Sequence, residues 1–298
     1  MHAAVRQQFA SPPSVLRAYA KLLLTRKPAQ VPDGSQVPRL EAVLERFRVD
    51  PAHLERYRAV CRSEPAGEEL PIAYPHVIAM PLHLAILTAD AFPVRAPGLV
   101  HVRNRIHRQR PMRADETFSI RAWLEGHRNG ARGSEFDLMT EVRSEGELVW
   151  TETCTYVARR RGRPLPGAQR SGTDGSPPSR PGATTRAGSF RVAADIGRRY
   201  ARVSWDFNPI HLAGFAARLF GFPRAIAHGM WLVARCAAEI GADRVTTPCN
   251  FDISFRLPLL LPAAVALETW ESGAATGFLL RDIQAHRTHL SGTLGPAL

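Results

Sequence analysis

The residues best able to do chemistry lie between Tyr200 and Met230. The chain reads Tyr-Ala-Arg-Val-Ser-Trp-Asp-Phe-Asn-Pro-Ile-His over Tyr200–His211, then Gly221-Phe222, then Ile-Ala-His-Gly-Met over Ile226–Met230. Asp206 and His211 stand five residues apart around Asn208-Pro209. Pro209 disfavours helical backbone at Asn208, so the chain bends there and both side chains can face one small space. A single water or hydroxyl between them would touch both groups. Adding or removing water beside a carbonyl needs proton transfer at an oxygen and at a carbon, which suits one carboxylate and one imidazole. Gly229 supplies a third component. It precedes an apolar helix expected over Met230–Ile240, so its N–H is an unpaired first-turn donor at the positive end of the helix dipole. A carbonyl oxygen gaining charge there would be stabilised as in an oxyanion hole, and glycine lets a ligand approach the backbone closely.

This segment resembles the motif of the MaoC-like family, the (R)-specific enoyl-CoA hydratases and 3-hydroxyacyl dehydratases. Written loosely, the family pattern is Y-A-x-x-S-G-D-x-N-P-I-H, then Gly-Phe and I-A-H-G-M, and Tyr200–Met230 follows it at nearly every position. The resemblance implies a hot-dog fold, an antiparallel sheet wrapped around a central helix. It also implies a hydro-lyase that interconverts trans-2-enoyl and (R)-3-hydroxyacyl thioesters of CoA or acyl carrier protein in fatty-acid metabolism. Asp206 and His211 would hold the water. In hydration Asp206 would be the base and His211 the proton donor to the α-carbon, the two titrating as a coupled pair. Asn208 would orient the dyad or the water, and Gly229 would hold the carbonyl. Ser204, Trp205 and His228 are pocket candidates, with His228 read as structural. No metal is implied, and no cofactor beyond the CoA or phosphopantetheine that carries the acyl group. One departure stands out: Trp205 replaces the usual Gly, where it either narrows the pocket or points into the core. If it blocks the water, the chain is instead a non-catalytic acyl-thioester-binding protein.

An internal repeat supplies the elements that must position these residues. Phe47-Arg48-Val49, Tyr57 and Val60 recur as Phe190-Arg191-Val192, Tyr200 and Val203 at an offset of 143, and Pro111 and Trp123 recur as Pro258 and Trp270 at 147. Each half has an extended start, a short polar helix, an apolar helix and then strands. In the first half these are a helix over Pro51–Cys61 capped by Asp50, an apolar helix over Leu82–Phe92, strands over Phe118–Leu124 and Glu147–Val157, and a hairpin signal at Asn129-Gly130. In the second half the strands fall at Cys249–Phe255, Ala264–Trp270 and Phe278–His286. The fold class is therefore α+β, and with the resemblance a double hot-dog, two antiparallel sheets each wrapped around a central helix. The expected division is 1–39 as an N-terminal extension, 40–158 as a degenerate hot-dog domain, 159–186 as a flexible Pro-, Gly-, Ser- and Arg-rich linker, and 187–298 as the catalytic domain.

The first half has no Asp-x-Asn-Pro-x-His, its loop from Val60 to Ile78 is five residues shorter than the one from Val203 to Ile226, and Met80-Pro81 stands for His228-Gly229. Proline has no N–H to offer a carbonyl. This half is expected to be inactive and to accommodate the acyl chain, with His76 and His83 as core or rim histidines.

Composition narrows the partners. The 298 residues carry 39 Lys+Arg against 27 Asp+Glu, a formal +12, with lysine only at Lys21 and Lys27. Arg103, Arg105, Arg108, Arg110 and Arg113 read either as a docking surface for CoA phosphates or an acidic carrier protein, or as a charge-protected edge strand. Without aromatic platforms or a recognition helix, charge alone does not indicate nucleic-acid binding. Cys61, Cys154, Cys236 and Cys249 form no C-x-x-C pair, and the longest apolar run, Leu257–Leu267, is broken by Pro258 and Pro262. No membrane span or signal peptide is expected. The chain reads as cytoplasmic, a monomer that pairs its own halves or a homodimer.

Overall fold

The computed structural model describes residues 5–31, 37–63, 68–130, 133–159, 186–241, 247–284 and 287–297. In the N-terminal half the elements are β1 (Val5–Phe9), α1 (Val15–Leu24), β2 (Leu40–Arg48), α2 (Pro51–Cys61), α3 (Tyr74–Leu87), β3 (Leu99–Arg108), β4 (Thr117–Gly130), β5 (Gly133–Ser144) and β6 (Glu147–Arg159). In the C-terminal half they are β7 (Arg186–Val192), α4 (Ile196–Ser204), α5 (Pro209–Leu212), α6 (Gly214–Leu219), α7 (Gly229–Ile240), β8 (Cys249–Phe255), β9 (Ala263–Ser272), β10 (Ala275–Asp282) and β11 (Thr288–Pro296).

All strands join one sheet in the order β1-β2-β4-β5-β6-β3-β8-β11-β10-β9-β7. Read outward from the β3–β8 seam, each half has the same order, so the repeat in the sequence is a repeat in the fold. The two expected sheets are continuous because β3 and β8 pair antiparallel, with Arg105 opposite Asp252. On the helical side the repeat's matching tyrosines meet: Tyr57 of α2 and Tyr200 of α4 are buried with ring centroids 6.4 Å apart. This is the double hot-dog architecture.

Local chemistry explains the helices. The Asp50 carboxylate accepts the Ala52 N–H at 2.9 Å and Pro51 opens α2, the expected cap and span. The apolar helix of the first half differs from expectation: α3 starts at Tyr74, ends at Leu87 and runs through Pro81. Proline removes one helical hydrogen bond, but α3 is buried on nearly every side, so packing rather than propensity holds it. The C-terminal counterpart, α7, starts at Gly229 with His228 as N-cap, close to the expected span.

Several strands also differ from the sequence reading. The β4–β5 hairpin pairs Asn129 with Ser134 and Gly130 with Gly133, so the Asn-Gly dipeptide belongs to the ladder and not to the turn. β10 ends at Asp282 and a further strand, β11, follows. The N-terminal extension is structured: β1 adds to β2 in parallel and α1 follows. Most of the expected linker, residues 160–185, lies outside the described residues, as do 64–67 of the shortened loop. Among the described residues, no helix is long and apolar enough to cross a membrane.

The packing of α4 on α5 fixes the site. A Cβ on Gly197 of α4 would stand 2.0 Å from the His211 carbonyl oxygen, a backbone atom that cannot swing aside. Gly197→Ala is expected to lower stability by about 2 kcal/mol and to displace His211, measured by chemical denaturation. A variant as stable as the parent would contradict this close packing.

Candidate active site

The site begins where α4 ends. Trp205 is the C-cap, in left-handed backbone at φ 58°, and its N–H donates to the Ala201 carbonyl at 2.9 Å. Glycine would sit there without strain, whereas a side chain costs about 1 kcal/mol. The indole stacks on His53 of α2, with centroids 4.7 Å apart and planes 13° apart. His53 is held in turn, its Nε2–H donating to the Val203 carbonyl at 2.8 Å and its Nδ1 accepting the Tyr74 hydroxyl at 2.8 Å. Trp205 thus packs into the junction between the halves.

A tight turn follows. Ser204 Oγ accepts the Asp206 N–H at 3.2 Å, and Asp206 Oδ1 accepts the Asn208 N–H at 3.1 Å, an Asx turn that bends the chain. Asn208 has the extended backbone expected before proline, φ −56° and ψ 122°, and its Oδ1 caps α5 by accepting the Ile210 N–H at 3.5 Å. Its side-chain oxygen is therefore committed to the start of the helix that carries His211.

His211 and His228 complete the cluster. His211 Nδ1–H donates to the Ile226 carbonyl at 2.9 Å; a carbonyl can only accept, so neutral His211 keeps its lone pair on Nε2. His228 stacks on it, with centroids 3.7 Å apart, and donates its Nε2–H to the Asp206 carbonyl at 3.0 Å. A carboxylate oxygen of Asp206 and ring nitrogens of His211 and His228 lie within 4.8 Å of one another. That span is compatible with a metal, and it would equally admit one bridging water, since two hydrogen bonds of about 2.8 Å reach that far.

Burial and mutual charge set the protonation states. Burial by itself would raise the Asp206 pKa, but His228 and His211, the Asn208 N–H and the Tyr19 hydroxyl together hold it below the ordinary carboxylate value. Burial lowers His211 below 6.5 against the opposing pull of Asp206, and takes His228 down to about 3, with His211 adding to the effect. The resting site is one carboxylate beside two neutral imidazoles.

Gly229 opens α7, so its N–H has no acceptor within the helix. A Cβ there would lie 2.8 Å from Cε1 of Phe255, so glycine also lets the β8 ring pack against the helix start. Sequence reasoning missed Tyr19. Its hydroxyl donates to Asp206 Oδ1 at 3.2 Å from α1 of the N-terminal extension. Ser14, which caps α1, marks that helix in the sequence, but nothing there indicates where it docks.

The first half carries a different polar cluster. His76 Nδ1–H donates to Glu152 at 2.9 Å, Asn104 Nδ2 donates to the same carboxylate at 2.6 Å, and His83 Nε2 lies 2.7 Å from Thr140 Oγ1, all buried. Burial opposes the Glu152 charge, but His76 and the two hydrogen bonds prevail and hold its pKa at about 2. His76 and His83 are thus core residues, as expected. His76, Glu152 and Cys154 also have metal-like spacing, but these hydrogen bonds account for the approach of His76 and Glu152. The arginines of β3 and its following turn are neither an edge strand nor a free basic face. β3 is central, and Arg103 pairs with Glu135 at 3.1 Å, Arg105 with Asp252 at 2.6 Å, and Arg110 with Glu116 at 2.9 Å, while Arg113 pairs with Glu68.

Known proteins resemble the chain in sequence and fold. Residues 174–292 match the MaoC like domain. The chain is 32% identical over 265 residues to 3-hydroxyacyl-thioester dehydratase X of Mycobacterium tuberculosis, covering 89% of this chain and 92% of that protein. A crystal structure of that protein, HtdX, superposes with a TM-score of 0.74 at 30% identity, covering 87% of this chain and 100% of the other. A MaoC-like dehydratase from Phytophthora capsici has the same fold, with a TM-score of 0.68 at 15% identity over 87% and 95% of the two chains. With the double hot-dog sheet, the duplicated halves and an aspartate beside stacked histidines, the chain belongs to the MaoC-like dehydratase family.

Proposed function

We propose that this chain interconverts trans-2-enoyl and (R)-3-hydroxyacyl thioesters in fatty-acid metabolism, with Asp206 and His211 as its acid–base pair. The observation that carries this reading is a half-buried carboxylate and a neutral imidazole within 4.8 Å of each other, close enough for one water to bridge, with His211 Nδ1 held on the Ile226 carbonyl so that Nε2 keeps its lone pair. The similarity to a protein named 3-hydroxyacyl-thioester dehydratase supports the substrate class.

The tautomer revises the expected division of labour. A neutral imidazole whose only hydrogen is on Nδ1 cannot donate from Nε2, so His211 begins as an acceptor. In hydration the water gives one hydrogen bond to Asp206 and one to His211 Nε2. Its oxygen bonds to the β-carbon, the C=C π electrons move towards the α-carbon and thioester carbonyl, and Nε2 takes the water's proton. The imidazolium, stabilised by the Asp206 charge, then gives that proton to the α-carbon. Dehydration reverses each step: Nε2 removes the α-proton and returns it to the departing hydroxyl. The Gly229 N–H stabilises the thioester oxygen as it gains charge. No further cofactor takes part in this reading; CoA or phosphopantetheine arrives as the carrier.

A groove of about 960 Å³ with an apolar floor that includes Phe222, Leu257 and Leu259 is rimmed by Arg62, Arg191 and Arg224. These arginines have no carboxylate partner among the described residues, which supports a phosphate-bearing carrier better than the paired arginines of β3 do. Four buried, unpaired cysteines support a reducing compartment, read here as the cytoplasm. A monomer or homodimer accords with halves already paired within one chain.

Hydration of crotonyl-CoA and of a medium-chain trans-2-enoyl-CoA is expected, followed by loss of the conjugated-enoyl absorbance. Asp206→Asn and His211→Ala should each lower kcat at least about 100-fold, and rates equal to the parent's would sink the reading. Trp205→Gly separates catalysis from a blocked, vestigial site. Because the indole packs on His53, kcat should change by less than about threefold, since glycine relieves backbone strain as it removes packing. If the parent is inactive and this variant active, the chain is a binding protein whose water site Trp205 closes.

A further inference from the structure

We propose that Tyr19, on α1 of the N-terminal extension, is a positioning residue that locks the Asp206 carboxylate in its working orientation. The proposal rests on the reading of Asp206 as half of the acid–base pair. Tyr19 is 187 residues from Asp206 in sequence, yet its hydroxyl donates to Asp206 Oδ1 at 3.2 Å and accepts the Phe207 N–H at 2.7 Å. One phenol therefore ties down both the carboxylate and the peptide that follows it.

The contact is directional. Oδ1 receives two donors, the Tyr19 hydroxyl and the Asn208 N–H, while Oδ2 lies 3.8 Å from His228 Nε2 and accepts no hydrogen bond among the described residues. Two bonds on one oxygen restrain rotation about Cβ–Cγ and keep the other oxygen turned towards His228. Phe207 is 37% exposed and lies against the Tyr19 ring, with centroids 6.0 Å apart at 83°. The turn thus lies near solvent, and Tyr19 braces it from outside. α1 is braced in turn by the first half: Lys21 pairs with Asp90 at 2.9 Å, and Lys27 Nζ donates to the Ala89 carbonyl at 2.5 Å, both just past α3. The Tyr19 hydroxyl remains a donor because burial, and then the Asp206 charge, push its pKa well above the ordinary tyrosine value.

The sign of the pH effect follows from the groups around Asp206. His211 on α5, His228 before α7, Tyr200 on α4, and His101 and Tyr156 from β3 and β6 all interact with its charge. Tyr19 alone among these side chains donates a hydrogen bond to the carboxylate. Such a bond favours the ionised form and lowers the pKa, so its loss raises the Asp206 pKa. Catalysis needs Asp206 ionised, so the acid limb that its protonation sets moves to higher pH.

The test is steady-state hydration of crotonyl-CoA by the full chain across pH, for the parent, Tyr19→Phe, Leu16→Ala and Asp206→Asn, with a melting temperature for each. Tyr19→Phe should lower kcat by about 10-fold, the loss expected for a hydrogen bond to a charged group, leave KM within about twofold, and shift the acid limb upward by about 0.5–1 pH unit. Leu16, 80% exposed on the same helix, is the control and should leave every parameter unchanged. A Tyr19→Phe protein with the parent's kcat and acid limb, while Asp206→Asn is inactive, overturns the proposal and spares the dyad. Equal losses in Tyr19→Phe and Leu16→Ala would assign the effect to helix docking and also overturn it. An unimpaired Asp206→Asn, or an inactive parent, overturns the dyad reading and this proposal with it.

Discussion

The antiparallel pairing of β3 with β8 is the constraint on which the rest depends. It fuses two copies of one fold into a single sheet across six paired positions, with Arg105 bonded to Asp252 at its middle. Tyr57 and Tyr200 meet on the helical side. With both contacts made, the first half must stand against the segment of the second that carries Asp206 and His211. His53 then receives the Trp205 indole, and α1, tethered beside α3, reaches the Asp206 carboxylate. The site is built by both halves, although its carboxylate and its two stacked imidazoles come from one.

The asymmetry between the copies has a local cause. In the second half the chain after α6 forms no further helix until α7 begins at Gly229, which places a helix N-terminus directly after His228, the residue that stacks on His211. In the first half α3 begins at Tyr74 and passes through the equivalent position at Pro81. No helix start and no free N–H exist there, and the shorter loop lacks the Asp and His. In that half His76 and Asn104 both donate to the buried Glu152 carboxylate. Glu152 is a structural charge with fixed partners, whereas Asp206 Oδ2 accepts no hydrogen bond among the described residues.

The dyad, the repeat and α2 with its Asp50 cap were legible in the sequence because each rests on local rules: a proline-directed bend, a recurring spacing, a side chain that accepts its own helix's N–H. The family resemblance supplied the fold. What was not legible depends on long-range contacts. The arginines of β3 and the turn after it look like an exposed edge until their carboxylate partners arrive from β5, β8, the loop before β4 and the first residue of β6. Trp205 looks like an obstruction until His53 is seen to receive it. Tyr19 carries no mark at all, since a helix's sequence does not say what it will touch. The tautomer of His211 likewise follows only from the Ile226 carbonyl, which leaves the neutral ring's Nε2 an acceptor.

The proposed function requires one dyad, on one side of the bound enoyl thioester, to move both the water oxygen and its proton. Delivery from a single side adds hydroxyl to one face of the β-carbon only, and the resemblance to (R)-specific hydratases implies that the product is (R). Chiral chromatography of the 3-hydroxybutyryl product formed from crotonyl-CoA is the decisive measurement: (R)-3-hydroxybutyryl-CoA alone is expected, and a racemic or (S) product overturns the assignment.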